Sequence, residues 1–461
     1  MFKLLQSIHR KQLSLFLYAV IISALIYSPF LLSVGMIGLA VIFTFQIDWN
    51  KAGWLRLNPK FFHYFTQFFR SRTHLIITLF FWIVFVSGLM TEDWDYWSNR
   101  LLMKLPFLVL PIIFCGLPKL SQRDYWGLLY FLVFALTLTC IGIGIHYILH
   151  FEEINTIMQQ GRPMPTPRNH IRFSLILALG VIAAFLLYQV RFYFKYQWES
   201  KALLAAAIFL FLMIHLLSVR SGLAALYLAI FILAIRYVWQ TGRYGVGLAV
   251  GVSMLLIPVM AYQTIPSFQA KVAYVRYEFW IRENNLSGNY SDLWRIISLR
   301  MGMEIGNEHP IVGVGAGNLR QEVKARYAAQ YPEMEQIRMP HNQLISVYAG
   351  TGLVGLSVFL FAFFYPFFSP EVKRRKSGVG SRKNSKENQA SAISLDTSTP
   401  RPTTYDLQTS QDKAFNLFLA FHVIVFASFM VENTIENSIG VGFYAFFLLL
   451  GLQHSTSHQA V

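Results

Sequence analysis

Stretches of about twenty apolar residues recur along this 461-residue chain, and a helix of that length crosses a bilayer core roughly 30 Å thick. They fall near 12–30, 31–46, 73–90, 101–117, 124–150, 169–190, 202–217, 221–239, 245–262, 342–368, 414–431 and 438–453, about twelve in all. Inside lipid a backbone amide finds no water, so each stretch is expected to close its own hydrogen bonds as a helix. With 55% hydrophobic and 13% charged residues, the chain is too apolar for a soluble domain. The expected fold class is all-α, a polytopic membrane protein with about 12 transmembrane helices and a large helical loop on one face.

A formal net charge of +16 raises nucleic acid as a partner, but its distribution points instead to membrane lipid. Taking the N-terminus as inside, the inner loops hold Lys3, Arg10 and Lys11, Lys51 to Arg72, Lys119 and Arg123, Arg191 to Lys201, Arg236 and Arg243, and the basic run after 370. The short outer loops carry Glu92, Asp93, Asp95, Glu152 and Glu153. That asymmetry is the positive-inside pattern, and it places both termini in the cytoplasm. The oligomeric state is left open.

Two segments interrupt the apolar rhythm. Residues 263–340 form a long outer loop in which Leu293, Ile296, Ile297, Met301 and Ile305 recur at helical spacing, with Ser291 or Asp292 as the N-cap. The "HPIVGVGAGN" of 309–318 then reads as a stop and a turn before a helix near 319–330. This loop is expected to be an ordered lid. Residues 370–413 are polar, rich in Ser, Thr and Lys, and lack apolar periodicity, which suits a disordered cytoplasmic linker. The expected organisation is thus 1–262 as an N-terminal transmembrane bundle, 263–340 as the lid, 341–369 as the helix after it, 370–413 as the linker and 414–461 as a C-terminal transmembrane hairpin.

Cations gather on the outer face. Residues 202–235 are too long for one span, so a tight reversal at Ser218–Gly222 is expected, which puts Arg220 at the outer membrane boundary. Arg295 lies on the amphipathic lid helix. Arg168, Asn169, His170 and Arg172 open the sixth span from the same side. His341 and Asn342 stand where the lid re-enters the membrane behind Pro340; a histidine suits general-base work, and Asn342 can cap the helix or bond a polar substrate. Ser346, Gly350, Gly352 and Gly355 follow, small residues that let neighbouring helices approach. Each of these has a plainer reading as an interfacial anchor or packing residue. Together, several cations and one base on one face suit a lipid-linked phosphate or diphosphate.

Other patterns are weaker. "GVGAG" at 313–317 lacks the preceding strand of a phosphate-cradling loop, and Asp93-Trp94-Asp95 lies in a short acidic loop without an α/β domain around it. Glu432 and Glu436, in the outer turn of the last hairpin, are placed to position an acceptor hydroxyl or simply to edge the membrane.

At these residues the chain resembles the O-antigen ligase and polymerase superfamily, membrane glycosyltransferases of the bacterial envelope. Its ligases show a histidine, an Asn, Ser or Gln, a spacer, a Gly, two residues and a Gly; here His341-Asn342, Gly352, Leu353-Val354 and Gly355 fit without a gap. Arg295 ahead of His309-Pro310 and Gly313-Val314-Gly315, Arg220-Ser221-Gly222 after an apolar span, and a closing hairpin that contains Glu432 repeat the family's order. The resemblance covers roughly 160–450, and the insert after 370 departs from compact members.

The resemblance implies transfer of a glycan from undecaprenyl diphosphate to an acceptor hydroxyl, at the periplasmic face of the bacterial inner membrane. The diphosphate is already a good leaving group, so neither a cofactor nor a metal nor ATP is implied. Arg220 and Arg295 would hold it and His341 would take or orient the acceptor proton; Arg168, His170, Arg172, Asn342 and Glu432 would contact substrate. The acceptor, a glycolipid or glycan, is lipid A–core for a ligase, another lipid-linked repeat for a polymerase or a protein Ser/Thr for an O-oligosaccharyltransferase, with the ligase favoured by the unbroken motif. A transporter or flippase of polyprenyl glycans would also have about twelve spans, but with pseudo-repeats and charges near the midplane.

Overall fold

The computed structural model of the chain describes residues 2–47, 55–283, 291–332, 337–369 and 404–456. The helices run α1 Phe2–Tyr27, α2 Pro29–Thr44, α3 Phe61–Arg70, α4 Arg72–Ile77, α5 Leu79–Ser87, α6 Trp94–Gly116, α7 Gln122–Leu149, α8 Phe151–Gln159, α9 His170–Gln189 and α10 Trp198–Leu217. They continue as α11 Arg220–Thr241, α12 Tyr244–Thr264, α13 Pro266–Glu283, α14 Ser291–Glu308, α15 Leu319–Gln330, α16 Gln343–Phe368, α17 Thr404–Val431 and α18 Ser438–Thr456. A short hairpin, β1 Phe45–Ile47 with β2 Leu55–Leu57, pairs antiparallel beside α3. Among the described residues, ten helices are long and apolar enough to cross a membrane, and two shorter apolar helices, Pro29–Thr44 and Ser438–His454, lie where the other two spans are expected.

Two rings of contacts define the ends of the bundle. At one end, Arg10 donates to the carbonyls of Ile42 and Gly116, and Gln453 to that of Pro118. At the other, the site end, Arg168 Nε donates to Tyr27 O (3.1 Å), Lys271 Nζ to Gly161 O (3.1 Å) and Asn318 Nδ2 to Met90 O (2.7 Å). Between them an aromatic seam ties five helices together, Phe80 lying 4.9 Å from Phe107, 5.1 Å from Phe359 and 5.6 Å from Tyr444 by ring centroids, with Phe363 5.3 Å from Phe429. Helix α9 is buried along most of its length, whereas α12 buries little of its own.

The third span is found where expected, at Arg72–Met90, built from α4 and α5, which meet at Thr78, and a 3-10 turn, Gly88–Met90. Several expectations are corrected. The fourth begins at Trp94, since Asp93 caps it by accepting from Tyr96 N at 2.9 Å. The reversal near Arg220 is confined to Ser218, in the left-handed region at φ 52°, and Val219; Ser221 and Gly222 are already helical. Residues 404–413, read as linker, lie in α17, whose helix extends past its apolar part, and residues 370–403 lie outside the described residues.

The described residues of the lid hold three helices, α13, α14 and α15, the first of them not expected. On α14, Met301 and Ile305 are buried and Ile297 packs against them, but Ile296 is 44% exposed because it falls on the neighbouring face. The helix begins at Ser291, so the expected caps stand in its first turn; the side chains of 291–293 are outside the described residues. The approach of α14 to α16 rests on two small residues one turn apart. A Cβ on Gly302 would stand 2.7 Å from Ile345 Cγ2 and Pro340 Cγ, and one on Gly306 2.4 Å from the Tyr348 ring.

Helix α16 is interrupted at Gly352, where φ is 64° and ψ −167°. The amides that the break frees are taken by the lid turn: Leu353 N donates to Pro310 O (2.8 Å), Val354 N to Ile311 O (3.1 Å), and Val314 N returns a bond to Ala349 O (3.1 Å). Broken helix at membrane depth is tolerated where protein satisfies it, and here the lid does so. A Cβ on Gly352 would sit 2.2 Å from Ile311 O, besides requiring a positive φ. Gly352→Ala is therefore expected to cost about 3 kcal/mol or more, read as a lower thermal midpoint of detergent-purified protein and faster proteolysis within the lid.

Candidate functional site

The site forms where α14, the start of α16 and the turn between α17 and α18 meet. Asn342 sets the start of α16. Its Oδ1 accepts from Leu344 N (2.9 Å) and Ile345 N (3.1 Å), and its Nδ2 donates to Met430 O (3.0 Å), which ties the helix to the end of α17. With the residue only 7% exposed, this amide serves the cap, one of its two expected roles, and the turn. His341, one residue earlier, is thereby fixed, and its own backbone N–H donates to Ser298 Oγ of α14 at 3.4 Å.

Glu432 is the hub. Its Oε1 accepts from Arg295 Nη2 at 3.1 Å, and its Oε2 lies 3.4 Å from His341 Nδ1. Its side chain is 12% exposed, against 31% for Arg295 and 27% for His341, so the carboxylate forms the floor and the other two reach the opening. Burial alone would raise the Glu432 pKa. Contact with His341 and the charges of Arg295 and Arg172 more than offset that and hold it below the usual carboxylate range, so it stays ionised. Sequence reasoning offered Glu432 as a group for the acceptor; the structure turns it toward the histidine and the lid arginine instead.

The remaining expected residues divide. Arg172 and His170, in the first turn of α9, act on Glu432 through space, and Lys271 of α13 joins them around His170. Arg168 points elsewhere, its Nε held by Tyr27 O, because Asn169 caps α9 and turns the chain between the two arginines. Arg220 opens α11 and is exposed. Its helix meets α9 closely: a Cβ on Gly222 would stand 2.4 Å from Ser174 Cβ, two residues beyond Arg172. Arg220 thus stands at the same end of the bundle as Arg172.

A second polar cluster lies behind the first. Glu436 is held by Lys104 Nζ (2.7 Å), Arg100 Nη1 (2.9 Å) and Gln343 Nε2 (2.8 Å). Lys104 also donates to Ile435 O, Arg100 to Glu436 O (3.2 Å), and Ile435 N to Gln343 Oε1 (3.1 Å). Burial would raise the Glu436 carboxyl, but Lys104 and Arg100 pull it down to about 2. Neither carboxylate is therefore a free edge group. Arg100 and Lys104 stand four apart on one face of α6, between about 9 and 15 Å from Trp94 at 1.5 Å per residue, so the 432–437 turn is recessed below that helix end.

The lid is pinned to the segment that leads into α6, and α16 to the 432–437 turn. Asn318 Oδ1 accepts from Glu92 N (2.7 Å), its Nδ2 donates to Met90 O and Val314 O, and Ser346 Oγ of α16 donates to Asn433 Oδ1 (2.9 Å). Sequence reasoning missed Lys104, Arg100, Gln343, Lys271 and Asn318. The one signal it had was a lysine one helical turn after an arginine inside an apolar span.

An ionised carboxylate between a guanidinium and an imidazole, inside a cationic recess bordered by a helical lid, can bind an anionic group and accept a proton at the outward ring nitrogen. No curated protein matches this chain. Residues 205–360, which include Arg220, Arg295 and His341, match the family model described as O-antigen ligase, and this match supports placing the chain in the O-antigen ligase/polymerase superfamily that its motifs resemble, as a glycosyltransferase-like membrane enzyme.

Proposed function

We propose that the protein moves a glycan from undecaprenyl diphosphate to an acceptor hydroxyl, with lipid A–core the favoured acceptor, at the periplasmic face of the bacterial inner membrane. The observation that carries this reading is the bridge from Arg295 through Glu432 to His341. Arg295 has further N–H donors beyond the one given to Glu432, and with its partial exposure they can meet a diphosphate, joined by Arg220, Arg172 and Lys271. The acceptor oxygen attacks the anomeric carbon from the side opposite the diphosphate, its proton passes to His341 Nε2, and the carbon–oxygen bond to the diphosphate breaks. The electron pair leaves on the lipid diphosphate, where the guanidinium groups stabilise it. Glu432, facing Nδ1, orients the ring and stabilises its protonated form, as a carboxylate does for histidine in hydrolytic triads.

A polymerase or a protein O-oligosaccharyltransferase would run the same chemistry on a different hydroxyl. Deleting the gene and analysing the envelope tests the assignment. Loss of long glycan from lipid A–core, with lipid-linked glycan accumulating, is the expected result; unchanged lipid A–core glycan with shortened polysaccharide or unglycosylated protein would move the acceptor.

A further inference from the structure

We propose that Lys104 is a positioning residue for the His341–Glu432 pair, acting through Glu436 and Ile435 on the turn that carries Glu432. This rests on the catalytic reading above. The geometry is that of a frame with two sides. From α6, Lys104 and Arg100 grip the Glu436 carboxylate and the carbonyls of Ile435 and Glu436. From α16, Gln343 takes both Glu436 and the Ile435 amide, while Asn342 and Ser346 hold Met430 and Asn433. Residues 430, 433, 435 and 436 are thus all tied down, and Glu432 is carried among them toward His341.

Packing alone does not call for this arrangement. Lys104 is 2% exposed within an apolar span, and desolvating an ammonium there is costly. Replacing a buried ion pair by apolar groups of similar volume is often neutral for stability. What the charges supply, and a methionine would not, is directional hold on a backbone carbonyl and a carboxylate next to the reacting pair.

The test uses purified full-length protein in liposomes with an undecaprenyl-diphosphate-linked glycan and a lipid A–core acceptor. Lys104→Met is expected to lower kcat about 10²-fold, the cost of misplacing a catalytic group by about 1 Å, with the donor KM changed by less than about threefold. Lys104→Arg, which keeps a cation in reach, is expected to restore most of the loss. Carbethoxylation of His341 by diethyl pyrocarbonate, read by peptide mass spectrometry, should change in rate in Lys104→Met and not in the lid-surface control Arg300→Ala. Should Lys104→Met fail to insert, Glu436→Asp reads the same frame by shortening its reach. Wild-type kcat and His341 reactivity in these variants, or a loss that Lys104→Arg leaves uncorrected at unchanged reactivity, would overturn the proposal. A wild-type protein that transfers no glycan would instead overturn the catalytic reading, and the His341 reactivity comparison would still decide the positioning.

Discussion

His341→Ala is expected to reduce glycan transfer by about 10²- to 10⁴-fold, the range for removing a general base, while the protein still inserts in the membrane. The ring is 27% exposed on its side chain and sits ahead of the capped start of α16, so its loss leaves no buried cavity of consequence. What disappears is the group that receives the acceptor proton. The check is a pair of measurements on one preparation, membrane-fraction abundance and surface glycan. Normal glycan at normal abundance would remove His341 from the mechanism.

The second large effect belongs to Arg295. Arg295→Ala should lower the transfer rate by about 10²- to 10³-fold, as for other donors that stabilise developing charge. Arg295→Lys should recover only part of it, because a lysine keeps the charge but loses the fork that can hold Glu432 and a phosphate oxygen together. Initial rates over a range of donor concentration check this. Because α14 is held on α16 through Gly302 and Gly306, at positions well beyond Arg295, the lid should stay docked in both variants. A near-normal rate in Arg295→Ala would show that the diphosphate is bound without it.

The spans were readable because lipid demands long apolar runs with internally bonded backbone, and such runs announce themselves in sequence. The break at Gly352 was not readable. A glycine in an apolar helix looks the same whether it admits a neighbouring helix or stops the helix, and here the deciding partners, Pro310 and Ile311, belong to a turn some forty residues earlier in the chain. Residues 404–413 looked like linker because nothing in their composition shows that a helix begun in the membrane will extend through them.

At the site, the local pieces were legible: Asn342 as a cap, His341 at a helix start, Arg295 on a lid helix, Arg172 at the start of α9. Which of them meet was not. Arg168 and Arg172 carry the same charge, and only the turn at Asn169 sends one to Tyr27 and the other toward Glu432. Lys104 and Glu436 are separated by most of the chain, so a lysine in one span and a glutamate beside another gave no hint of pairing.

The central claim is that Arg295, Glu432 and His341 form one site for breaking a glycan–diphosphate bond. Its most direct test is product analysis after incubating purified protein in liposomes with lipid-linked glycan and acceptor. The account predicts glycan joined covalently to the acceptor and undecaprenyl diphosphate released in equal amount, both lost in His341→Ala. Lipid-linked glycan redistributed across the bilayer with no covalent product would contradict it.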